Sequence, residues 1–187
     1  MTVTVRFAEL DDAEKLLDIY TYYVEETAIT FEYDVPSLEE FTERMRSIMA
    51  FFPYLVAEEG GKILGYAYAS KFHPRAAYAW SAEATVYLDK NVRGKGLGRM
   101  IYTDLEEYLK QMGILNLNAC IASTDVEDVY LTNGSEKFHR ALGYQLVGKF
   151  HHSGYKFNRW YDMIWMEKML GDHTENVQAV KSIHEIK

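Results

Sequence analysis

The sequence predicts a mixed α/β domain built on one largely antiparallel sheet with helices on both faces. Three patterns carry this. Period-two runs recur along the chain, and Gly60-Gly61 joins two of them as in a hairpin. Two helix-period segments follow one another near the start. A third, Gly98–Met112, lies between strand patterns and so requires a parallel crossover. A chain of 187 residues is one domain, at roughly 100–200 residues per domain.

Thr2–Phe7 alternates, with Val3, Val5 and Phe7 on one face, and reads as the first strand. From Asp11 or Asp12, either of which suits a helix cap, Leu16, Tyr20, Tyr23 and Val24 recur at helical spacing. Ser37-Leu38-Glu39-Glu40 is a capping box, opening a helix that buries Phe41, Met45 and Ile48. Tyr54–Glu58, Ile63–Ser70 and a long Ala77–Leu88 read as three strands. Gly98–Met112 carries the stripe Ile101, Leu105, Leu109 and Met112, and Gly113 stops it. Leu115–Ala122 is a strand. Ser135–Leu142 is a short helix closed by Gly143, with Phe138 and Leu142 toward the core and His139 at its border. Strands near Tyr144–His152 and Tyr161–Met169 finish the order βααβββαβαββ. The domain is expected over residues 1–170. Residues 171–187 read as a tail, either a weak helical stripe (Val177, Val180, Ile183) or a frayed or partner-docked appendage.

Composition narrows function. Hydrophobic residues are 48% and charged residues 26%, an ordinary globular balance. A net charge of −8 argues against a sequence-independent nucleic-acid partner, which needs a basic face. No apolar run reaches ~18 residues, so no membrane partner is expected. The N-terminal residues show no charged-then-apolar leader, and the single cysteine, Cys120, fits a reducing compartment, so the chain is expected in the cytoplasm. Cys120 itself reads as packing. The six histidines show no metal-ligand spacing, and no metal is expected.

The sharpest local feature is Arg93-Gly94-Lys95-Gly96-Leu97-Gly98-Arg99, between a strand and a helix. Glycines let a ligand approach the backbone, a helix N-terminus presents free N–H groups, and the cations add charge. This is a pyrophosphate cradle. It lacks G-x-x-x-x-G-K-[ST], and its G-x-G-x-G spacing is not the G-x-G-x-x-G dinucleotide fingerprint. A flexible basic turn is the plain alternative.

This turn resembles the coenzyme A signature of the GNAT acyltransferase superfamily, and the element order is similar to that fold. The blocks IYTYYVEETAITFEYDVPSLEEF, LVAEEGGKILGYAYASKF, AYAWSAEATVYLDKNVRGKGLG, FHRALGY and GYKFNRWYDMIWMEKML resemble the phosphinothricin acetyltransferase group. The resemblance implies a GNAT fold, acetyl-CoA as co-substrate, a small-molecule amine acceptor (the α-amine of an amino acid or analogue, phosphinothricin- or methionine sulfoximine-like) and a homodimer.

Residue by residue, it implies more. Glu83 reads from the sequence as a mid-strand carboxylate whose burial would raise its pKa, or as a solvated strand glutamate; the resemblance makes it a general base acting through water. His139 is implied as a second base or orienting group, and Tyr102 is a donor candidate for the leaving thiolate. Asn133 is implied to touch pantetheine. The backbone of Val86, Tyr87 and Leu88 would extend the sheet onto the coenzyme. Arg75 would hold a substrate carboxylate, beside His73 and Pro74, with Phe31, Tyr78 and Trp80 as walls and Ala84 and Thr85 next to Glu83. The chain departs from the group at His73, at the acidic insertion Thr124–Thr132 and at Asn158, which stands for a common glycine, while Lys156, Trp160 and Asp162 remain. The insertion would suit a cationic acceptor, such as a polyamine or a peptide or protein amine. A non-catalytic acyl-CoA-binding module is the remaining alternative.

Overall fold

The computed structural model describes residues 2–92 and 96–187. Its elements run β1 (Thr4–Phe7), α1 (Ala13–Glu26), α2 (Leu38–Met49), β2 (Tyr54–Glu59), β3 (Lys62–Lys71), β4 (Ser81–Leu88), α3 (Leu97–Met112), β5 (Asn116–Ser123), α4 (Gly134–Ala141), β6 (Gln145–Lys156) and β7 (Arg159–Met169). One sheet has the order β1-β2-β3-β4-β5-β7-β6. Neighbours are antiparallel except β4 and β5, which the α3 crossover makes parallel. The predicted order of elements is the observed one.

Strand alternation divides the core. Helix α3 buries Ile101, Leu105, Leu109 and Met112 against Leu55, Ala67, Ala82, Leu117 and Ile164 on one face. On the other, α1 and α2 lay Leu16, Tyr20, Tyr23, Phe41 and Met45 over Tyr54, Val56 and Tyr66. Gly60 and Gly61 take φ of 59° and 80° between β2 and β3, the left-handed pair a two-residue hairpin needs.

Several expectations are corrected. Asp12 stands at the start of α1 but does not cap it. Its carboxylate instead accepts from Arg6 at 2.8 and 2.9 Å and from the Glu9 N–H at 2.8 Å. The expected strand from Ala77 begins only at Ser81, after a 3-10 turn over Ala76–Tyr78. The reason is pairing: β3 ends at Lys71 opposite Ala82, so residues before Ser81 lie beyond the ladder. Strand β6 continues to Lys156 through a bulge between Phe150 and Gly154. There Asp162 accepts the N–H of His152, whose φ is 48°. At the β6–β7 turn Phe157 and Asn158 both have positive φ, 50° and 59°. Asn158 thus keeps the conformation a glycine would supply. Phe157 stacks on Tyr130 with ring centroids 4.1 Å apart, contact that offsets its strain.

The C-terminal segment is neither frayed nor projecting. Lys181 N–H donates to Met112 O, Ile183 N–H to Phe51 O and His184 Nε2 to Met49 O, each at 2.9 Å. Trp80 Nε1 donates to Gln178 O at 2.7 Å. Ile183 joins the α3-side core, and apart from a 3-10 turn at Ile183–Glu185 the segment is not helical.

Candidate active site

The site is made by a strand pair that separates. β4 and β5 pair only at Ser81–Asn116, Ala82–Leu117 and Glu83–Asn118. Beyond Glu83, β4 stays with β3 as far as Leu88 opposite Gly65, while β5 stays with β7 to Ser123 opposite Asp162. A gap opens between them. Asp89 N–H donates to Leu64 O on the β3 side. Backbone groups alternate sides along a strand, so those of Leu88, Val86 and Ala84 face the gap. At Leu88 the hydroxyl of Tyr23 already meets them, donating to its carbonyl at 2.6 Å and accepting its N–H at 3.2 Å. Tyr87 turns its ring to the other face, among Tyr20, Tyr23 and Tyr66.

A cavity of about 320 Å³ fills the gap. Glu83, Ala84, Thr85, Val86 and Tyr87 line it from β4, Phe31 from the α1–α2 connection, Tyr102 from α3 and His139 from α4. The Glu83 carboxylate has no hydrogen bond or ion pair among the described residues. Burial alone pushes its pKa above the ordinary carboxylate value.

His139 is not at the border of the core but inside it, only 3% exposed, while Phe138 and Leu142 are half-buried. The turn of α4 gives the polar ring partners that repay its desolvation. Nδ1 lies 2.8 Å from Ser135 O, and a carbonyl only accepts, so Nδ1 carries the proton. Nε2 is therefore the acceptor of the Tyr102 hydroxyl at 3.0 Å. Burial lowers the His139 pKa and raises that of Tyr102, so both are neutral.

Helix α3 begins on Gly96, at φ 76°, with no side chain capping it. Its first N–H groups are left for a ligand. A Cβ on Gly98 would come within 3.0 Å of the Phe138 ring, so glycine there permits α3 to pack on α4. Leu97 is buried with Leu64 and Val92 and is core. The Arg99 guanidinium donates to Ala141 O at 3.1 Å, at the end of α4. Arg93, Gly94 and Lys95 lie outside the described residues. Asn133 does not line the cavity; its amide closes the insertion, accepting from Thr124 N–H and donating to Thr124 O.

The structure does not bring the whole predicted set together. His73, Pro74, Arg75, Tyr78 and Trp80 line a second cavity, of about 780 Å³, that shares no lining residue with the first. The β3–β4 connection turns outward at the end of the sheet, away from the gap. The two cavities meet at one rung, where Ser70 of the second lies opposite Glu83 of the first. Sequence reasoning missed Ile29, Thr30, Tyr68, Cys120 and Met163 as lining residues of the first cavity. Tyr68 and Cys120 reach it only through the register of β3 and β5 against β4. Cys120 is not packed away as expected but exposed at the cavity wall; desolvation there, with the Glu83 charge, pushes its thiol up to about 12, which keeps it protonated.

The insertion's carboxylates are occupied. Asp125 pairs with Lys149 at 2.7 Å and Glu127 with Lys137 at 3.4 Å; Asp128 holds Arg159 at 2.5 Å and the Tyr161 hydroxyl at 2.9 Å. Each is paired with a lysine or arginine, although Asp125 and Glu127 stay open to solvent. The K-F-x-x-W-x-D block is likewise structural. Lys156 Nζ donates to Thr30 O at 2.9 Å, and Asp162 pairs with Lys149 at 2.7 Å. A Cβ on Gly154 would lie 2.3 Å from the Phe31 ring, so the hairpin sets where Phe31 stands in the cavity. No helix of the described residues is long and apolar enough to cross a membrane.

A sheet that opens at its single parallel seam, with a desolvated carboxylate in the gap and an uncapped helix N-terminus at its end, defines an acyl-transfer type of site. The chain belongs to the acetyltransferase (GNAT) domain family, which matches residues 5–165. It is 33% identical to the phosphinothricin N-acetyltransferase of Alcaligenes faecalis, over 91% of this chain and 85% of that one. It is 28% identical to the L-methionine sulfoximine/L-methionine sulfone acetyltransferase of Salmonella typhimurium, over 91% of this chain and 96% of that one. Among solved structures, a phosphinothricin acetyltransferase from Sinorhizobium meliloti in complex with acetyl-CoA superposes with a TM-score of 0.84, at 34% identity, over 95% of this chain and 96% of that one.

Proposed function

We propose that the protein is an acetyl-CoA-dependent N-acetyltransferase acting by direct transfer on the α-amino group of a small amino acid or analogue, of the phosphinothricin or methionine sulfoximine kind. The observation that carries this reading is Glu83: a carboxylate without a partner, raised in pKa by burial, in the gap where a thioester would lie between β4 and β5. The turn 93–99 and the α3 N-terminus hold the pyrophosphate. The gap-facing backbone of Ala84 and Val86 takes the pantetheine amides and supplies the N–H that meets the developing oxyanion. Leu88 does not share that task, because Tyr23 occupies its N–H and C=O.

The amine lone pair attacks the thioester carbonyl carbon and forms the C–N bond. The C–S bond breaks, and the thiolate leaves. The ammonium proton passes through water to Glu83. Tyr102, kept as a neutral hydroxyl by burial, turns its proton from His139 to the thiolate and is reprotonated by solvent, or solvent protonates the thiolate directly. His139 accepts from Tyr102 and fixes its direction. Phe31 and Thr85 wall the acceptor's end. The chain works in the cytoplasm as a homodimer. The outermost strand β6 supports the dimer, since Val147 and Phe150 on it are each 57% exposed.

The test is thiol release from acetyl-CoA against a panel of amino acids, phosphinothricin, methionine sulfoximine and polyamines. Amino-acid-like amines are expected to accelerate it, and Glu83→Gln to abolish the acceleration while the thermal shift given by acetyl-CoA persists. Wild-type turnover in the variant overturns the assignment of the base, and acceleration by polyamines alone overturns the acceptor class.

A further inference from the structure

The edge of β4 that faces the gap is not open along its whole length. Ala84, Val86 and Leu88 turn their backbone groups toward the space left by β5. At Leu88, however, the Tyr23 hydroxyl of α1 donates to the carbonyl at 2.6 Å and accepts the N–H at 3.2 Å. One hydroxyl thus fills the place that a residue of a pairing strand would take. Packing holds it there. Tyr23 is 6% exposed, and its ring centroid lies 4.8 Å from that of Tyr87 and 5.3 Å from that of Tyr22. Leu88 is fixed from the β3 side as well. A Cβ on Gly65 would come 2.5 Å from its side chain, and the next residue, Asp89, donates its N–H to Leu64 O. Leu88 also stands beside the start of α3. It packs with Leu64, Val92 and Leu97, and a Cβ on Gly98 would be 3.6 Å from it. The strand edge is therefore closed where the uncapped N-terminus of α3 begins.

We infer that Tyr23 is a positioning residue for acetyl-CoA: it stops the strand edge at Leu88, so that pantetheine pairs only ahead of it, at Ala84 and Val86, and leaves β4 there for the α3 N-terminus. This role rests on the thioester lying in the gap, as proposed above. An open strand edge repeats its donors and acceptors every second residue, so an extended amide chain can pair with it in registers two residues apart. A slip of two residues moves the chain by about 7 Å. Such a slip toward Leu88 would draw the thioester back from Glu83. The shifted chain would be bound as well as the productive one, and it would not react. Occupying both backbone groups of Leu88 removes the partners that this wrong register needs, which is discrimination by blocking a competitor and not by adding a contact.

Amide hydrogen exchange resolved by residue tests this in the wild-type chain, with no variant that must fold. Acetyl-CoA is expected to slow exchange at Val86 and to leave Leu88, already held by Tyr23, unchanged. Tyr23→Phe keeps the ring and deletes both bonds to Leu88. In that variant Leu88 should exchange faster in the free chain and regain protection when acetyl-CoA is added. Its kcat and its KM for acetyl-CoA should fall together by about fivefold, the weight of one hydrogen bond, with kcat/KM nearly unchanged, because an unreactive mode of binding competes. Acetylpantetheine lacks the pyrophosphate that anchors the other end, so with it the fall should be larger. Protection gained at Leu88 in the wild type means that Tyr23 gives way to the coenzyme, and overturns the stop. A KM that rises in Tyr23→Phe at constant kcat also overturns it, since lost support and not a shifted register is then the effect; so do unchanged kcat and KM. If acetyl-CoA gives the wild-type chain no thermal shift, the coenzyme reading itself fails and this role with it.

Discussion

The two ends of strand β4 solve opposite problems. Toward its C-terminus the strand loses its β5 partner, and a single carboxylate sits in the gap with two neutral polar groups, Tyr102 and His139, bonded to each other. Toward its N-terminus the sheet simply ends, and a connection rich in unpaired cations folds against apolar walls. One end holds a carboxylate whose pKa is raised by burial, and the other holds cations without counter-ions. The difference teaches that one strand can place a desolvated acid at one end and solvent-exposed cations at the other. Glu83, at the shared rung with Ser70, is the residue that divides them.

The sharpest way to break the comparison is Glu83→Gln. Turnover is expected to fall by about 10²–10⁴, the usual weight of a positioned acid or base, read from the rate of thiol release. Stability should move the other way. Because burial raises the folded-state pKa of Glu83, protonation favours the fold; that contribution is present below the ordinary carboxylate pKa of about 4.3 and is lost as pH rises through the raised value. Glu83→Gln is therefore expected to raise the melting temperature at neutral pH, with the gain shrinking near pH ~4. A gain independent of pH would show that the carboxylate is not desolvated.

Gly154→Ala tests how the acceptor end of the gap is shaped. The added methyl meets the Phe31 ring, and overpacking of this kind costs about 1–3 kcal/mol. Denaturant unfolding should show the loss, and the KM for the amine should rise while that for acetyl-CoA holds. His139→Ala removes the acceptor of the Tyr102 hydroxyl and leaves it buried and unpaired, at about 1–3 kcal/mol. An unchanged melting temperature would mean that the pair is not formed.

The smaller effects belong to the other end and to the insertion. Trp80→Phe deletes the hydrogen bond to Gln178 O, worth about 0.5–1.5 kcal/mol. It is expected to loosen the C-terminal segment in hydrogen exchange without altering turnover. Asp125→Asn, at an exposed pair with Lys149, is expected to leave both stability and amine preference within error. A change in preference would restore the insertion as part of acceptor recognition.

What the sequence by itself determined is the order of elements and several of their stops. Hydrophobic period, the Ser37 cap that accepts the Glu40 N–H at 3.1 Å, the Gly60-Gly61 turn and the Gly113 stop are all effects of residues on their own few neighbours. Glu83 was legible because mid-strand carboxylates are rare in a sheet covered on both faces, and the glycine turn because its spacing is local. Only the tertiary structure decided the rest. The start of β4 depends on where β3 stops. The burial of His139 depends on Tyr102, 37 positions earlier. The docking of the C-terminal segment depends on carbonyls of Met49, Phe51 and Met112 that its own sequence does not announce. The parting of Arg75 from Glu83 depends on the sheet ending between them. Each is a matter of which distant groups desolvate one another, and that is settled by packing, not by spacing along the chain.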